Sequence, residues 1–177
     1  MLLADFQIRQ QVRIVPFCEP TNLPGSISYG LSPYGYDVRL GTKFYQPSGE
    51  VLDPKAFSID KVWTSTQPVI LPGNSFLLAE TFEYLEIPKN TLGLVIGKST
   101  YDRCGVVINV GPLQPEWQGK ITLEISNSSP VPVKLYPLEG IALVIFMKAD
   151  AVCEKSYADQ FGKYNYQPGL TPPKVTK

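Results

Sequence analysis

Lys98, Ser99, Thr100 and Arg103 follow Gly97 and stand upstream of an apolar stretch that carries one acid, Glu124. Short hydroxyl side chains, cationic groups and open main-chain N–H groups suit a phosphate anion. A carboxylate bracketed by Leu123 and Ile125 suits proton transfer, because partial loss of water raises its pKa. Together they suggest a nucleotide enzyme that moves a proton without a metal centre. Each feature also has a plainer reading. Gly97–Arg103 could be an ordinary polar turn, since the GxxxxGK[ST] spacing of a P-loop is missing. Glu124 could sit on a solvated strand face beside Lys120, Thr122 and Ser126.

Other segments carry weaker signals. The loop GPLQPEWQG, Gly111–Gly119, is stiffened by proline. It could present a main-chain carbonyl in a fixed direction, or simply connect two strands with Trp117 as a core plug. Asp37, in GYDVRLG, could pair with Arg39 or with a main-chain N–H. The C-terminal segment offers Tyr157, Lys163, Tyr164 and Gln167. Tyrosine can stack on a base or sugar, and lysine and glutamine can reach phosphates, or the segment is a loose tail.

The chain contains 0 histidines. That removes Ser-His-Asp and Cys-His nucleophile systems and the histidine-ligated zinc of nucleobase deaminases. Catalysis must then use carboxylates, Lys, Arg, Tyr, Ser or main-chain groups. Cys18, Cys104 and Cys153 lie far apart with no CxxC, which argues against a disulfide framework and a zinc knuckle. Sixteen basic residues balance 16 acidic ones, so a broad nucleic-acid surface is not expected. No apolar run is long enough to span a membrane, and the N-terminus lacks a secretory pattern, so the expected location is cytoplasmic.

The elements that must position these groups are short. At 177 residues, one domain over 1–177 is the simplest organisation. The 17 prolines are about twice the average usage and fence short apolar runs, which points to strands rather than a helical bundle. Strands are expected at Tyr36–Leu40, Lys43–Tyr45, Val69–Leu71, Ser75–Glu80, Leu92–Ile96, Val106–Val110, Lys120–Asn127, Val131–Leu135 and Ile141–Lys148. A short helix is expected over Leu2–Gln10, with Leu2, Phe6 and Arg9 on one side. In Lys120–Ser126 the residues Ile121, Leu123 and Ile125 point one way, and Lys120, Thr122, Glu124 and Ser126 the other. The pattern predicts antiparallel sheets closed as a barrel or sandwich. From Tyr157 to Lys177 the strand pattern gives way to aromatics, glycine and proline.

The order of these signals resembles the dCTP deaminase family, within the dUTPase-like group. The resemblance rests on SYGLSPYGYDVRLG (Ser28–Gly41), GKSTYDRCG (Gly97–Gly105) and NVGPLQPEWQGKITLEISN (Asn109–Asn127). EGIALVIF (Glu139–Phe146) and SYADQFGKYNYQPGLTPPKV (Ser156–Val175) complete it, in family order over nearly the whole chain. It implies an all-β fold, a distorted jelly-roll-like β-barrel of the β-clip type, with a short N-terminal helix and a C-terminal lid over 157–177. It implies a homotrimer with sites between subunits, acting on dCTP and not on nucleic acid or membrane. The implied reaction is zinc-independent hydrolysis of dCTP to dUTP and ammonia, which supplies dUTP for thymidylate synthesis.

Residue roles follow from the resemblance. Glu124 matches the family's proton donor and acceptor, with Ser99 and Arg103 in support. Lys98, Ser99, Thr100, Tyr101, Asp102 and Arg103 match the triphosphate-binding stretch. Gly111 and Pro112 match main-chain groups that hold the water and the exocyclic amine. Thr122 and Leu123, with Glu124, match the stretch lining the base, and Tyr157, Lys163 and Gln167 match nucleotide contacts from the tail. No protein-held metal is implied; Mg2+ accompanies the triphosphate. Gly111 stands where relatives usually carry threonine, a residue tied to inhibition by dTTP, and Leu143 stands where close relatives often carry glutamine. Rival functions are a dUTPase, a bifunctional enzyme forming dUMP, and a nucleotide-binding module without turnover. A dUTPase needs an acid in the loop that here reads GPLQPEW, where Gln114 cannot act as a base.

Overall fold

Short apolar runs fenced by proline, glycine and asparagine fold, in a computed structural model that describes residues 1–175, into strands joined by tight turns. In chain order the elements are α1 (Asp5–Gln11), β1 (Arg13–Val15), β2 (Gly30–Ser32), β3 (Gly35–Ser48), β4 (Ser58–Thr64), β5 (Val69–Leu71) and β6 (Ser75–Glu86). There follow β7 (Thr91–Gly97), α2 (Ser99–Asp102), β8 (Val106–Asn109), β9 (Gln118–Asn127), β10 (Val133–Leu135) and β11 (Gly140–Lys148). The main sheet runs β7-β11-β3-β6-β9-β8, with β1 on β6 and with β2 and β4 on β3. Its pairs are antiparallel. The ends of this path nearly meet. Gly93 of β7 exchanges both main-chain hydrogen bonds with Leu113, beyond β8, at 2.9 and 2.8 Å. The expected barrel is therefore present. A separate ribbon pairs β5 with β10. Asn127, at the end of β9, joins it to the barrel by donating to the carbonyls of Leu71, Pro72 and Val131.

Alternation explains the core. Along β9 every second residue from Gly119 to Asn127 is buried, so Ile121, Leu123 and Ile125 meet Tyr36, Leu40, Phe44 and Phe146 inside. The expected separate strands Tyr36–Leu40 and Lys43–Tyr45 are one strand, β3. Register shifts between Leu40 and Phe44, and between Glu80 and Tyr84, bend the sheet there without ending it. Gly41 sits at the bend, where a Cβ would lie 2.6 Å from the Glu80 carbonyl oxygen.

Three strands went unread. β1 and β2 are too short to alternate, and β4 pairs with β3 while little of it is buried. The helix begins later than expected, because Leu2 bridges Met147 and the Leu3 N–H donates to Phe146. Ile8 is the residue it buries; Leu2, Phe6 and Arg9 are exposed.

Arg39 pairs with Glu83, not Asp37, at 2.6 Å, and the Arg39 main-chain N–H donates to the same carboxylate at 2.8 Å. Glu83 is fully buried. The guanidinium lies between the rings of Tyr29 and Phe82. Glu83→Ala would strand this cation in the protein interior, so a loss of about 3–5 kcal/mol in denaturant unfolding is expected. A loss below about 1 kcal/mol would show that the pair contributes no more than a surface bridge.

Candidate active site

The outward face of β9 presents Thr122, Glu124 and Ser126, and a cavity of about 610 Å³ lies against them. β6 contributes Phe76 and Leu78, the register partners of Ser126 and Glu124. Asn109 of β8 faces Glu124 from the other side. The loop after β8 adds Val110, Gly111, Pro112 and Leu113, with Trp117 further along. Glu124 is thus on the polar face of its strand, half-buried where that face forms one wall of the cavity. Burial pushes its carboxyl pKa up, and the hydrogen bond from Asn109 pulls the other way.

The tail lines one side of the cavity. Gln167 bridges Gly119 in parallel; its N–H donates to Gln118 and its carbonyl accepts from Lys120, at 3.1 and 2.9 Å. Trp117 Nε1 donates to the Tyr164 carbonyl at 2.8 Å, and the Gln118 N–H donates to Asn165 Oδ1 at 2.8 Å. Further on, Leu170 N–H donates to Glu80 Oε2 at 2.8 Å and Thr171 N–H to Thr122 Oγ1 at 3.1 Å. Lys120 holds the other Glu80 oxygen at 3.2 Å. The expected tail is therefore hydrogen-bonded to the barrel as far as Thr171, and only Thr176 and Lys177 of the expected segment fall outside the described residues. The Gln167 side chain is buried in the cavity wall, and its Oε1 has no hydrogen-bond partner. A buried acceptor left unpaired is costly unless a ligand supplies the donor.

The structure brings together Glu124, Thr122, Gly111, Pro112, Tyr157 and Gln167 around this space. Leu123 is fully buried in the core, as alternation requires, so its side chain does not reach the cavity. Lys163 is exposed, with its ammonium 5.2 Å from the Tyr164 ring centre, and does not line it. Lys98, Ser99, Thr100, Tyr101, Asp102 and Arg103 do not line it either.

That stretch is the short helix α2, whose Tyr101 and Asp102 N–H groups donate to the Lys98 carbonyl. Tyr101 is buried, and its hydroxyl accepts from the Tyr136 N–H at 2.9 Å. Lys98 pairs with Asp37 at 2.9 Å, largely out of solvent, which gives Asp37 a partner other than the expected Arg39. What approaches Gly97 closely is the Asp102 carboxylate of the same chain. Ser99, Thr100 and Arg103 are exposed on the outer surface.

Other cavity residues escaped the sequence. Ser126 was readable two positions after Glu124. Asn109, Phe76 and Thr171 depend on register or on the return of the tail, which no local pattern encodes. At Gly111 an added Cβ would meet nothing within 4 Å, so packing does not demand glycine there.

The sequence model of the family described as dCTP deaminase-like matches residues 7–149. The chain is similar to the dCTP deaminase of a Nitratiruptor species, 49% identical over 182 residues and covering 98% of each chain. It is similar to that of Gluconobacter oxydans, 45% identical, covering 98% of this chain and 99% of the relative. Among solved structures, the 2'-deoxycytidine 5'-triphosphate deaminase from Agrobacterium tumefaciens matches with a TM-score of 0.63 at 18% identity. That match covers 86% of this chain and 49% of the other. The Staphylococcus bacteriophage 80alpha dUTPase matches with a TM-score of 0.51 at 13% identity, over 82% of this chain and 95% of the other. At these identities the structural matches speak for the fold alone.

Proposed function

Because the chain belongs to the dCTP deaminase family, and so converts dCTP and water to dUTP and ammonia, we propose that Glu124 moves the protons of that hydrolysis. The observation that carries this is a single carboxylate, half-buried against a nucleotide-sized cavity, with its pKa raised. Water adds to C4 of the cytosine ring. Glu124 takes a proton from it and delivers that proton to N3, which makes C4 electrophilic. As the C4=O bond forms, the hydroxyl proton passes by way of the same carboxylate to the amino group, and ammonia leaves. Main-chain carbonyls at Gly111 and Pro112 hold the water and the amine. Gln167 Oε1 accepts from the nucleotide, and Tyr157 packs against it. The loop adds no second acid here: Gln114 is exposed, and Glu116 lies outside the cavity, 3.9 Å from Lys89. This favours dUTP over dUMP as the product released.

Ser99 and Arg103 complete the site from a second copy of the chain, in a homotrimer. Two features support this. The segment Lys98–Arg103 is absent from the cavity of its own subunit. Val107, Val131 and Ile70 are about half or more exposed on β8, before β10 and on β5, and such apolar surface suits an interface. Mg2+ enters on the triphosphate. Among the described residues no three His, Cys, Asp or Glu side chains gather to hold a metal. No described helix is long and apolar enough to cross a membrane, and the proposed location is the cytoplasm, where dCTP is available.

Subunit mixing tests the shared site. Glu124→Gln and Arg103→Ala enzymes should each be inactive alone. Unfolded together and refolded, they should regain about a quarter of parental ammonia release, because random cyclic assembly joins an intact Glu124 to an intact Arg103 at that frequency. Mixtures that stay inactive would place both residues in one subunit's site.

A further inference from the structure

Asn109 and Glu124 face each other at the last register position of the β8–β9 pair. Asn109 Nδ2 donates to Glu124 Oε2 at 3.0 Å, and both side chains line the cavity. No other hydrogen bond to this carboxylate occurs among the described residues. Oε1 is therefore left to the space where the pyrimidine would lie. Resting on the assignment of Glu124 as the proton carrier, we propose that Asn109 is a positioning residue for the deamination. Its amide holds Oε2 and reserves Oε1 as the oxygen that takes and returns the proton.

A neutral amide suits this task. The carboxylate must be charged to receive a proton from water and basic enough to hold it until N3 accepts it. Burial alone favours the neutral acid, and a single amide N–H offsets part of that without adding a charge of its own. Within one subunit the surroundings leave the task to Asn109. β6 offers Glu124 only Phe76 and Leu78; β9 itself offers Thr122 and Ser126; the loop offers Gly111 and Pro112; the tail offers Tyr157, Tyr164, Gln167 and Thr171. The only other titratable groups among these are phenols. Lys120, further along β9, is engaged by Glu80.

The test is the pH profile of kcat/KM for dCTP in the parent, Asn109→Ala and Asn109→Asp, with Glu124→Gln measured alongside. Activity falls on the acid side as Glu124 takes up its proton. Removing the donor takes away the one contact within the subunit that opposes burial, so the acid limb of Asn109→Ala should move up by about one pH unit. The isosteric Asn109→Asp sets a second carboxylate against the first and should move it further. In both, activity should recover toward the parental plateau at high pH, with KM changed less than kcat. A lowered plateau with an unmoved limb, beside an inactive Glu124→Gln, would overturn the role of Asn109 and leave the proton carrier standing. A Glu124→Gln enzyme that still turns over dCTP would remove the proton carrier itself, and the role of Asn109 with it.

Discussion

Glu124→Gln should abolish ammonia release from dCTP and leave nucleotide binding in place. Glutamine keeps the size of the side chain and can still accept from Asn109, so the cavity wall is preserved. What it loses is the ability to take a proton from water. Removal of a positioned general acid–base group lowers turnover by about 10²–10⁴-fold. With no other carboxylate lining the cavity among the described residues, the loss should fall at the upper end of that range. Ammonia release measures the turnover, and calorimetry with dCTP measures the binding. Turnover within about tenfold of the parent would assign the proton to another group, and failure to bind dCTP would make Glu124 a binding residue.

Gly119→Val should unseat the tail while the barrel stays folded. Gly119 has φ +152 and pairs with Gln167, and a Cβ there would lie 2.8 Å from the Gln167 Cβ and carbonyl oxygen. A side chain at this position separates the two segments, so Gln167 and Tyr164 leave the cavity and water enters. Closing segments both orient substrate and exclude solvent, and misplacement by about 1 Å costs on the order of 10²-fold. A loss of kcat/KM of about that size is expected, with the dCTP Kd raised as well. Deleting Tyr157–Lys177 should produce a similar loss, since the same contacts go. Limited proteolysis of Gly119→Val should cut the tail and spare the barrel. Parental kinetics in both variants would show that the seated tail is not a lid.

Local patterns carried much of the fold. The alternation in Lys120–Asn127 marked β9 and placed Glu124 with Thr122 and Ser126, because a strand turns successive side chains to opposite faces wherever it lies. The same rule put the Leu123 side chain inside. Helix and strand ends were read less well. Gly41 looked like a break and is a bend within β3, because a register shift keeps the pairing going. β4 was not among the expected strands, and in the structure little of it is buried.

Side-chain type and spacing along the chain are local properties, and from them the sequence alone determined the β-rich class, the polar face of β9 and the motifs of the family. Which face is covered is not local. Only the tertiary structure decided that Glu124 looks into a cavity, because the tail must return to pair with Gly119 before that strand face has a second wall. Only the sheet register set Asn109 opposite Glu124, and only the folded barrel brought Lys98 to Asp37 and Arg39 to Glu83. The barrel also holds the exposed Ser99 and Arg103 outside the cavity that Glu124 lines. Contacts between segments far apart in the chain depend on bulges and turns that add up along it, and no short window of residues contains that sum.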